Sequence, residues 1–272
     1  ETGIDNDTIL GDGGVALYTA GVLVSLSSDA AEIGDDTITV VNGNNIIAGG
    51  AGADVITTTD GVDIILGDNG QLVWSASGII ESVTATDLTN GADDIIVAGD
   101  ANNIIVGATG DDIIETGIDN DTILGDGGVA LYTAGVLVSL SSDAVEAGDD
   151  LITVVNGNNI IAGGAGADVI TTTDGVDIIL GDNGQLVWSA SGIIESVTAT
   201  DLINGADDII NAGDADNIII GATGNDVIES GVNNDTILGD GGIALYNAGV
   251  LVDLSSFALT SGNDVVTVAN GN

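Results

Sequence analysis

The sequence contains no lysine, arginine or histidine, whereas it has 43 aspartates and glutamates, so its formal net charge is −43. Without cationic side chains the chain cannot neutralise phosphates, which excludes ordinary electrostatic binding of nucleic acid. It also lacks the residues used for nucleophile relays, Schiff bases and oxyanion or phosphate clamps, which predicts that it is not an enzyme. A partner has to be cationic, and a metal ion is the simplest such partner.

Cysteine and proline are absent as well. The first absence excludes a disulfide framework and a thiolate metal site. The second fits a chain that stays in hydrogen-bonded strands and glycine turns. No apolar run approaches the roughly 18 residues of a membrane span. Because the chain starts at Glu1 with no signal-like segment, we expect it to be a window from a longer protein.

The apolar content distinguishes this chain from a disordered acidic tail. It has 44% hydrophobic residues, 43 glycines and a mean hydropathy of +0.45. Disordered acidic segments are poor in Ile, Val and Leu. The composition therefore predicts a folded protein, provided that something offsets the negative charge.

Two repeat lengths organise the chain. Residues 1–30 and 115–144 are identical, and a third copy opens at Glu229, which gives a long period of 114 residues. We predict one copy at 1–114, a second at 115–228 and a partial third at 229–272, all within one continuous solenoid. Such similarity between copies predicts an extended array.

Nonapeptide units fill most of each copy. The stretch Gly49 to Thr57, repeated letter for letter at 163–171, matches the pattern G-G-x-G-x-D-x-U-x, in which U is a large apolar residue. Blocks of four units cover 31–66, 89–124, 145–180 and 203–238, and single units lie at both ends. In each block, position six reads Asp, Asn, Asp, Asp and position eight is always isoleucine.

This pattern resembles the RTX repeat family of secreted bacterial proteins. The resemblance implies an all-β fold, a parallel β-roll or β-solenoid in which two units form a turn of about 18 residues. It also implies type I export and Ca²⁺ ions held between stacked loops by side chains and carbonyls. Since units two apart stack about 4.8 Å apart, we expect Asp54 to share an ion with Asp36 and not with Asp63.

The predicted calcium ligands fall into two groups. The position-six aspartates are Asp7, Asp36, Asp54, Asp63, Asp94, Asp112, Asp121, Asp150, Asp168, Asp177, Asp208, Asp226, Asp235 and Asp264. The aspartates of the Gly-Asp-x-Gly starts of the inserts, which would complete the edge sites or only form turns, are Asp12, Asp68, Asp126, Asp182 and Asp240. The neutral residues Asn45, Asn103, Asn159 and Asn217 are left open between weaker calcium binding and an amide ladder.

Inserts of 20 or 22 residues separate the blocks, at 11–30, 67–88, 125–144, 181–202 and 239–258. Two β-rich runs around a short turn favour hairpin-like inserts that cover the roll. Enlarged solenoid turns, with a rise of roughly 29 Å per copy, and lateral packing of rolls stay open. Outward apolar residues at positions seven and nine need a cover. We expect the aromatic residues to pack within the inserts: Tyr18, Tyr132, Tyr246, Trp74 and Trp188.

The leading functional hypothesis is a calcium-stabilised extracellular structural array, such as an adhesin stalk, a matrix component or a surface filament. Its expected partners are calcium ions and identical repeats that self-associate or pack laterally. The alternative is a secretion and folding module attached to a larger secreted enzyme or toxin. Ice binding through outward Thr and Asn is disfavoured because apolar residues interrupt a regular polar grid.

Overall fold

A computed structural model of the chain describes residues 3–28, 33–86, 91–142, 148–200, 203, 205–257 and 262–270. The predicted insert ends at 30, 88, 144, 202 and 258 lie outside the described residues, as do the block starts at 31, 89 and 145. The described part of the chain contains 28 β-strands and no helix. None of it could therefore cross a membrane as a helix.

Three sheets make up the fold, and we name them the middle sheet, the open sheet and the hairpin sheet. Within each of the first two, neighbouring strands are parallel, and together they form a β-roll, as the resemblance implied. The hairpin sheet is antiparallel and packs on the outer face of the middle sheet. The order of layers is open, middle, hairpin.

The middle sheet has nine strands in the order β1-β5-β7-β11-β13-β17-β19-β23-β25. Their bounds are Thr8–Leu10 (β1), Ile46–Ala48 (β5), Ile64–Leu66 (β7), Ile104–Ala108 (β11), Thr122–Asp126 (β13), Ile160–Gly164 (β17), Ile178–Asp182 (β19), Ile218–Ala222 (β23) and Thr236–Asp240 (β25).

The open sheet also has nine strands, in the order β28-β24-β22-β18-β16-β12-β10-β6-β4. Their bounds are Thr37–Thr39 (β4), Val55–Thr57 (β6), Ile95–Val97 (β10), Ile113–Ile118 (β12), Leu151–Asn156 (β16), Val169–Thr171 (β18), Ile209–Ala212 (β22), Val227–Val232 (β24) and Val265–Asn270 (β28).

The hairpin sheet has ten strands in sequence order. Their bounds are Gly14–Thr19 (β2), Val22–Ser28 (β3), Gly70–Trp74 (β8), Ile80–Ala85 (β9), Gly128–Thr133 (β14), Val136–Ser142 (β15), Gly184–Trp188 (β20), Ile194–Ala199 (β21), Gly242–Asn247 (β26) and Val250–Ser256 (β27).

Position eight builds the core between the two parallel sheets. Ile47 pairs with Ile65 in the middle sheet and Ile56 pairs with Ile96 in the open sheet, so identical side chains stack from turn to turn. All four are completely buried. This core therefore contains a column of isoleucines from each sheet, together with the buried position-one residues Val40, Ala98, Val154 and Ala212.

The inserts are hairpins, which confirms the interpretation favoured by the sequence over enlarged turns. Each hairpin pairs side by side with the next, as in β3 with β8 and β9 with β14. Leu72 and Leu140 of the hairpins pack with Leu66 and Leu124 of the middle sheet in a second buried core. Trp74, Trp188, Tyr132 and Tyr246 pack in the same core, whereas Tyr18 is exposed.

The cover predicted for the outward apolar residues is present on one parallel sheet only. In the middle sheet, the position-nine residues Leu66 and Val106 are buried under the hairpins. In the open sheet, no described segment covers the position-seven residues, and Ile95 and Ile209 stay 40% and 43% exposed. The hairpins therefore cover only the middle sheet, and lateral packing of rolls on the open sheet stays a prediction.

The roll and the hairpin sheet grow at the same rate along the chain. Between β5 and its counterpart β17, one long period later, the middle sheet adds four strands, and between β3 and β15 the hairpin sheet also adds four. At about 4.8 Å per strand, one copy rises about 19 Å. The rise of roughly 29 Å expected for enlarged turns does not apply, because the hairpins leave the roll instead of lengthening it.

Candidate functional site

Short loops connect the two parallel sheets on both sides of the roll. Edge one contains the loops that lead from the middle sheet to the open sheet, such as 49–54. Edge two contains the loops that lead back, such as 58–63. Each hairpin is inserted into an edge-one loop, so direct loops alternate there with hairpin-bearing loops. Position six precedes the strand directly and therefore lies on an edge.

The position-six aspartates of edge one form one continuous ladder. The Asp36 N–H donates to Asp54 Oδ1 over 2.7 Å, and the Asp54 N–H donates to Asp94 Oδ1 over 2.7 Å. The same contact joins every later pair at 2.7–3.1 Å. The members are Asp36, Asp54, Asp94, Asp112, Asp150, Asp168, Asp208, Asp226 and Asp264.

The two-unit spacing correctly predicted which aspartates are neighbours. The structure brings Asp36 and Asp54 together on edge one and places Asp63 on edge two. This follows from the parallel register, in which strand β4 pairs with β6. That Asp36 and Asp54 share an ion stays a prediction.

The second carboxylate oxygen of the edge-one ladder is buried and lacks a partner. This holds for Oδ2 of every ladder aspartate from Asp54 to Asp226. The side chains of Asp54, Asp94 and Asp112 are each only 1% exposed. A buried carboxylate oxygen without a donor is costly unless a cation satisfies it. In each turn of the roll, the unpartnered oxygen of the ladder aspartate therefore needs a cation as its partner.

A glycine leaves a space beside each of these oxygens, either at position one of a direct loop or at the first residue of an insert. A Cβ added to Gly49 would lie 2.1 Å from Asp54 Oδ2 and 2.3 Å from the Gly67 carbonyl oxygen. The same arrangement recurs at Gly107, where the distances to Asp112 Oδ2 and the next loop carbonyl are 2.2 and 2.4 Å. A carboxylate and a carbonyl oxygen thus face the same small space in successive loops.

This donor set fits Ca²⁺. In the part of the chain that the structure describes, no group of three acidic side chains is arranged to hold a metal ion alone. Calcium takes six to eight oxygens and accepts backbone carbonyls along with carboxylates. Ladder aspartates and loop carbonyls would together hold the ion, and it would supply the positive charge that the chain lacks.

The aspartates that open the inserts lie on edge one, where their spacing predicts them. Asp126 Oδ1 accepts from the Gly148 N–H over 3.1 Å, which closes the base of the hairpin, and its Oδ2 accepts from the next loop. Asp12, Asp68, Asp182 and Asp240 also accept backbone N–H groups. These contacts anchor the hairpins, and calcium binding by this group stays a prediction.

Edge two has a different ladder, in which aspartate alternates with asparagine. The Asn45 N–H donates to Asp63 Oδ1 over 2.8 Å, and the Asp63 N–H donates to Asn103 Oδ1 over 3.0 Å. The order is Asp7, Asn45, Asp63, Asn103, Asp121, Asn159, Asp177, Asn217, Asp235. The asparagines therefore form a mixed ladder with the aspartates and do not pair with one another, and calcium binding by these units stays open.

Burial and neighbouring carboxylates raise the pKa values of the ladder aspartates. Burial raises the pKa of Asp94 and Asp168 to about 9 and that of Asp208 to about 10, and nearby aspartates add to each rise. On edge two, burial raises the pKa of Asp121 to about 6. On edge one, burial raises the pKa of Asp54 and Asp226 only to about 6. Without a cation, the members with the highest pKa values, Asp94, Asp168 and Asp208, would be protonated at neutral pH or the fold would open.

Position five forms a second, exposed ladder that the sequence reasoning missed. The Asp111 N–H donates to Asp93 Oδ1 over 3.0 Å, and the Asp149 N–H donates to Asp111 Oδ1 over 2.8 Å. Position five is less regular than position six, because Ala53 and Val62 interrupt the first block. The available signal was Asp or Asn at position five in the first two units of every block.

The fold and its edges define a class of protein, a parallel β-roll with carboxylate-lined loops. The sequence profile of the RTX calcium-binding nonapeptide repeat matches residues 39–71, 88–129, 153–185 and 211–243, which is just over half of the chain. The chain belongs to this family and is a calcium-binding repeat protein of the RTX type.

The matched segments contain most of each nonapeptide block and leave most of each hairpin outside. Proteins with these repeats are typically secreted by type I secretion. Comparisons with curated proteins and with solved structures gave no significant match.

Proposed function

We propose that the chain is a segment of a calcium-stabilised extracellular structural array, such as an adhesin stalk, a matrix component or a surface filament. The observation that carries the proposal is the uninterrupted row of buried, unpartnered carboxylate oxygens along edge one. The same site recurs at every turn, which suits a mechanical element. The proposal gives the chain a structural role and not a catalytic one.

Calcium supply would decide where the chain folds. Extracellular calcium modules work at dissociation constants of about 10⁻⁴–10⁻³ M. At the much lower calcium level inside a cell, the ladder carboxylates would stay uncompensated and the chain would remain unfolded for export. Folding would follow in millimolar external calcium, because metal binding supplies folding free energy.

The array proposal predicts how length depends on copy number. A chain lengthened by one further copy of residues 115–228 would gain four turns, so its maximum dimension in millimolar calcium is expected to grow by about 19 Å. Small-angle X-ray scattering of the two chains measures this increase, and the cross-section should not change. A growth near 29 Å, or a thicker particle of the same length, would contradict a straight array with four turns per copy.

We further propose that the array packs laterally through the open sheet. Its position-seven residues form an apolar row, which we call the open stripe: Val55, Ile95, Ile113, Leu151, Val169, Ile209, Val227 and Val265. Among the strands of this sheet, only Glu115 and Glu229 are charged. The open stripe resembles the position-seven row of the middle sheet, such as Ile46, Ile64 and Ile104, except that no described segment covers it.

A second copy of the chain is the occupant that fits this face. The nine strands contain 40 residues, which at about 3.3 Å per residue and about 4.8 Å between strands give roughly 630 Å². This lies within the roughly 600–1,000 Å² that one partner contributes to a standard interface. Only a surface with the same strand spacing can contact every row of the stripe, and another open sheet has that spacing.

Replacing Ile95, Leu151 and Ile209 together by threonine tests this interface. In calcium, we expect the self-association constant measured by sedimentation velocity to fall at least tenfold, while circular dichroism stays unchanged. The control is Leu131→Thr on the outer face of the hairpin sheet, where the side chain is 43% exposed. Equal association of the triple variant and the parent chain would exclude the open stripe as the contact surface.

A further inference from the structure

The two edges of the roll carry different charges between neighbouring loops. On edge one, both ladder residues at each step are aspartates, so each gap holds two negative charges. On edge two, one of the two residues is always an asparagine, so each gap holds one. The electrostatic attraction for a cation is therefore stronger in the gaps of edge one than in those of edge two, although every unit belongs to the same repeat.

On edge two, the asparagine amide donates hydrogen bonds to oxygen atoms that a cation would need as ligands. Asn45 Nδ2 donates to the Gly43 carbonyl over 2.8 Å and to Asp63 Oδ1 over 2.9 Å. Asn159 repeats both contacts, with the Gly157 carbonyl and with Asp177. Asn103 and Asn217 donate to two carbonyls of their own loops. The partly positive amide nitrogen thus takes the place of the ion.

The space at position one also differs between the edges. On edge one the residue that follows position nine is always glycine: it is position one of the direct loops, as at Gly49 and Gly107, and the first insert residue of the hairpin-bearing loops, as at Gly67. A Cβ added to any of these three glycines would meet the unpartnered carboxylate oxygen of a ladder aspartate. On edge two, position one carries a side chain, such as Val40, Thr58 or Ala98, and all three are buried. A side chain therefore stands where edge one keeps its space open.

At the end of edge two, a hydroxyl group satisfies the ladder aspartate directly. Ser230 Oγ donates to Asp235 Oδ2 over 2.7 Å, and Ser230 is the position-one residue of that unit. In contrast, the second oxygens of the edge-one ladder from Asp54 to Asp226 have no donor. Edge two also keeps unpartnered oxygens at Asp7, Asp63, Asp121 and Asp177, but each faces a gap of single charge.

We propose that the two edges are two classes of cation site: edge one binds one Ca²⁺ in each gap between neighbouring aspartates, and edge two binds Ca²⁺ at least tenfold more weakly. This inference rests on the proposed calcium-dependent function and assigns the tightly bound Ca²⁺ ions to edge one. The eight N–H···Oδ1 contacts of the edge-one ladder define eight tight sites in this chain.

Equilibrium dialysis against calcium, combined with isothermal titration calorimetry, counts the tight ions of the parent chain and of two matched variants. Asp168→Asn removes a carboxylate from two edge-one gaps, so the count is expected to fall from eight to six. Asp177→Asn makes the same change nine residues later on edge two, and the count should stay at eight. Both variants are compared under conditions in which circular dichroism shows folded protein.

Sixteen ions of one affinity class in the parent chain would overturn the assignment, even if Asp168→Asn failed to fold. Equal loss of ions from Asp168→Asn and Asp177→Asn would overturn it as well. A parent chain that binds no calcium and folds without it would instead overturn the proposed function, and the edge assignment with it.

Discussion

Removal of calcium is expected to abolish the β structure of this chain and not merely to loosen it. Two carboxylates about 5 Å apart repel by roughly 0.8 kcal/mol in water and by about 3 kcal/mol at an effective dielectric constant near 20. Edge one repeats this repulsion at each step of its ladder. The sum is comparable with the roughly 5–15 kcal/mol that stabilises a typical domain.

Calcium reverses this balance because it binds the folded chain and not the unfolded one. A single site at a free calcium concentration 100 times its dissociation constant adds about 2.7 kcal/mol to the free energy of unfolding. Several sites along one edge would make folding a steep function of calcium concentration. The chain is therefore expected to respond to calcium as a cooperative switch between an unfolded coil and a roll.

Far-UV circular dichroism with excess chelator, followed by addition of millimolar calcium, measures this transition. We expect a coil spectrum that converts to a β spectrum. Magnesium at the same concentration is the control, since its demand for near-ideal octahedral geometry makes it a poor substitute in a site built from loop carbonyls. The same β spectrum with and without chelator would refute calcium-dependent folding.

Replacement of Asp112 by asparagine is expected to change stability in opposite directions with and without calcium. Asp112 is buried, its pKa is raised well above its ordinary value by burial and by the neighbouring Asp150 and Asp94, and its Oδ2 has no partner. With calcium present, Asp112→Asn removes a ligand from two gaps, and we expect a loss of about 3–5 kcal/mol, as for breaking a buried charge pair. Without calcium, the same change removes a buried repulsive charge and should favour the folded state.

The adjacent residue provides a matched control for this experiment. Asp111 is exposed at position five, and its substitution by asparagine removes the same charge without touching the buried ladder. Denaturant titrations of both variants in millimolar calcium give the free-energy differences with calcium, and circular dichroism in chelator compares the remaining β structure of each variant with that of the parent chain. Less β structure for Asp112→Asn than for the parent chain in chelator, or an equally large effect of Asp111→Asn in calcium, would show that the ladder is not the calcium-dependent element.

Much of the roll could be predicted from the sequence because its period fixes its geometry. Position eight is apolar in every unit and position six is Asp or Asn. The nine-residue period therefore predicts which residues form the core column and which lie on the two edges. The parallel register then places Asp36 beside Asp54 without further information. A strict repeat leaves few alternatives, since a one-residue slip would turn the core residues to the surface.

The position of the cover was harder to predict, although the sequence contains a signal for it. Position nine is apolar in units of the middle sheet, such as Leu66 and Leu124, and mostly polar in units of the open sheet, such as Thr57 and Thr153. Separating odd from even units would have identified the covered sheet. The ion sites could not be predicted in this way, because their occupancy depends on loop carbonyls and amide contacts that the sequence pattern does not specify.

The equal growth of the roll and the hairpin sheet makes the repeat act as a molecular ruler. Every copy adds four strands to each layer, so recombination between nearly identical copies would change the length in fixed steps and leave the stacking undisturbed. Gain or loss of a single nonapeptide would instead transfer every later unit to the opposite sheet and put the hairpins on the wrong face. The number of copies in the gene would thus determine the length of the proposed filament.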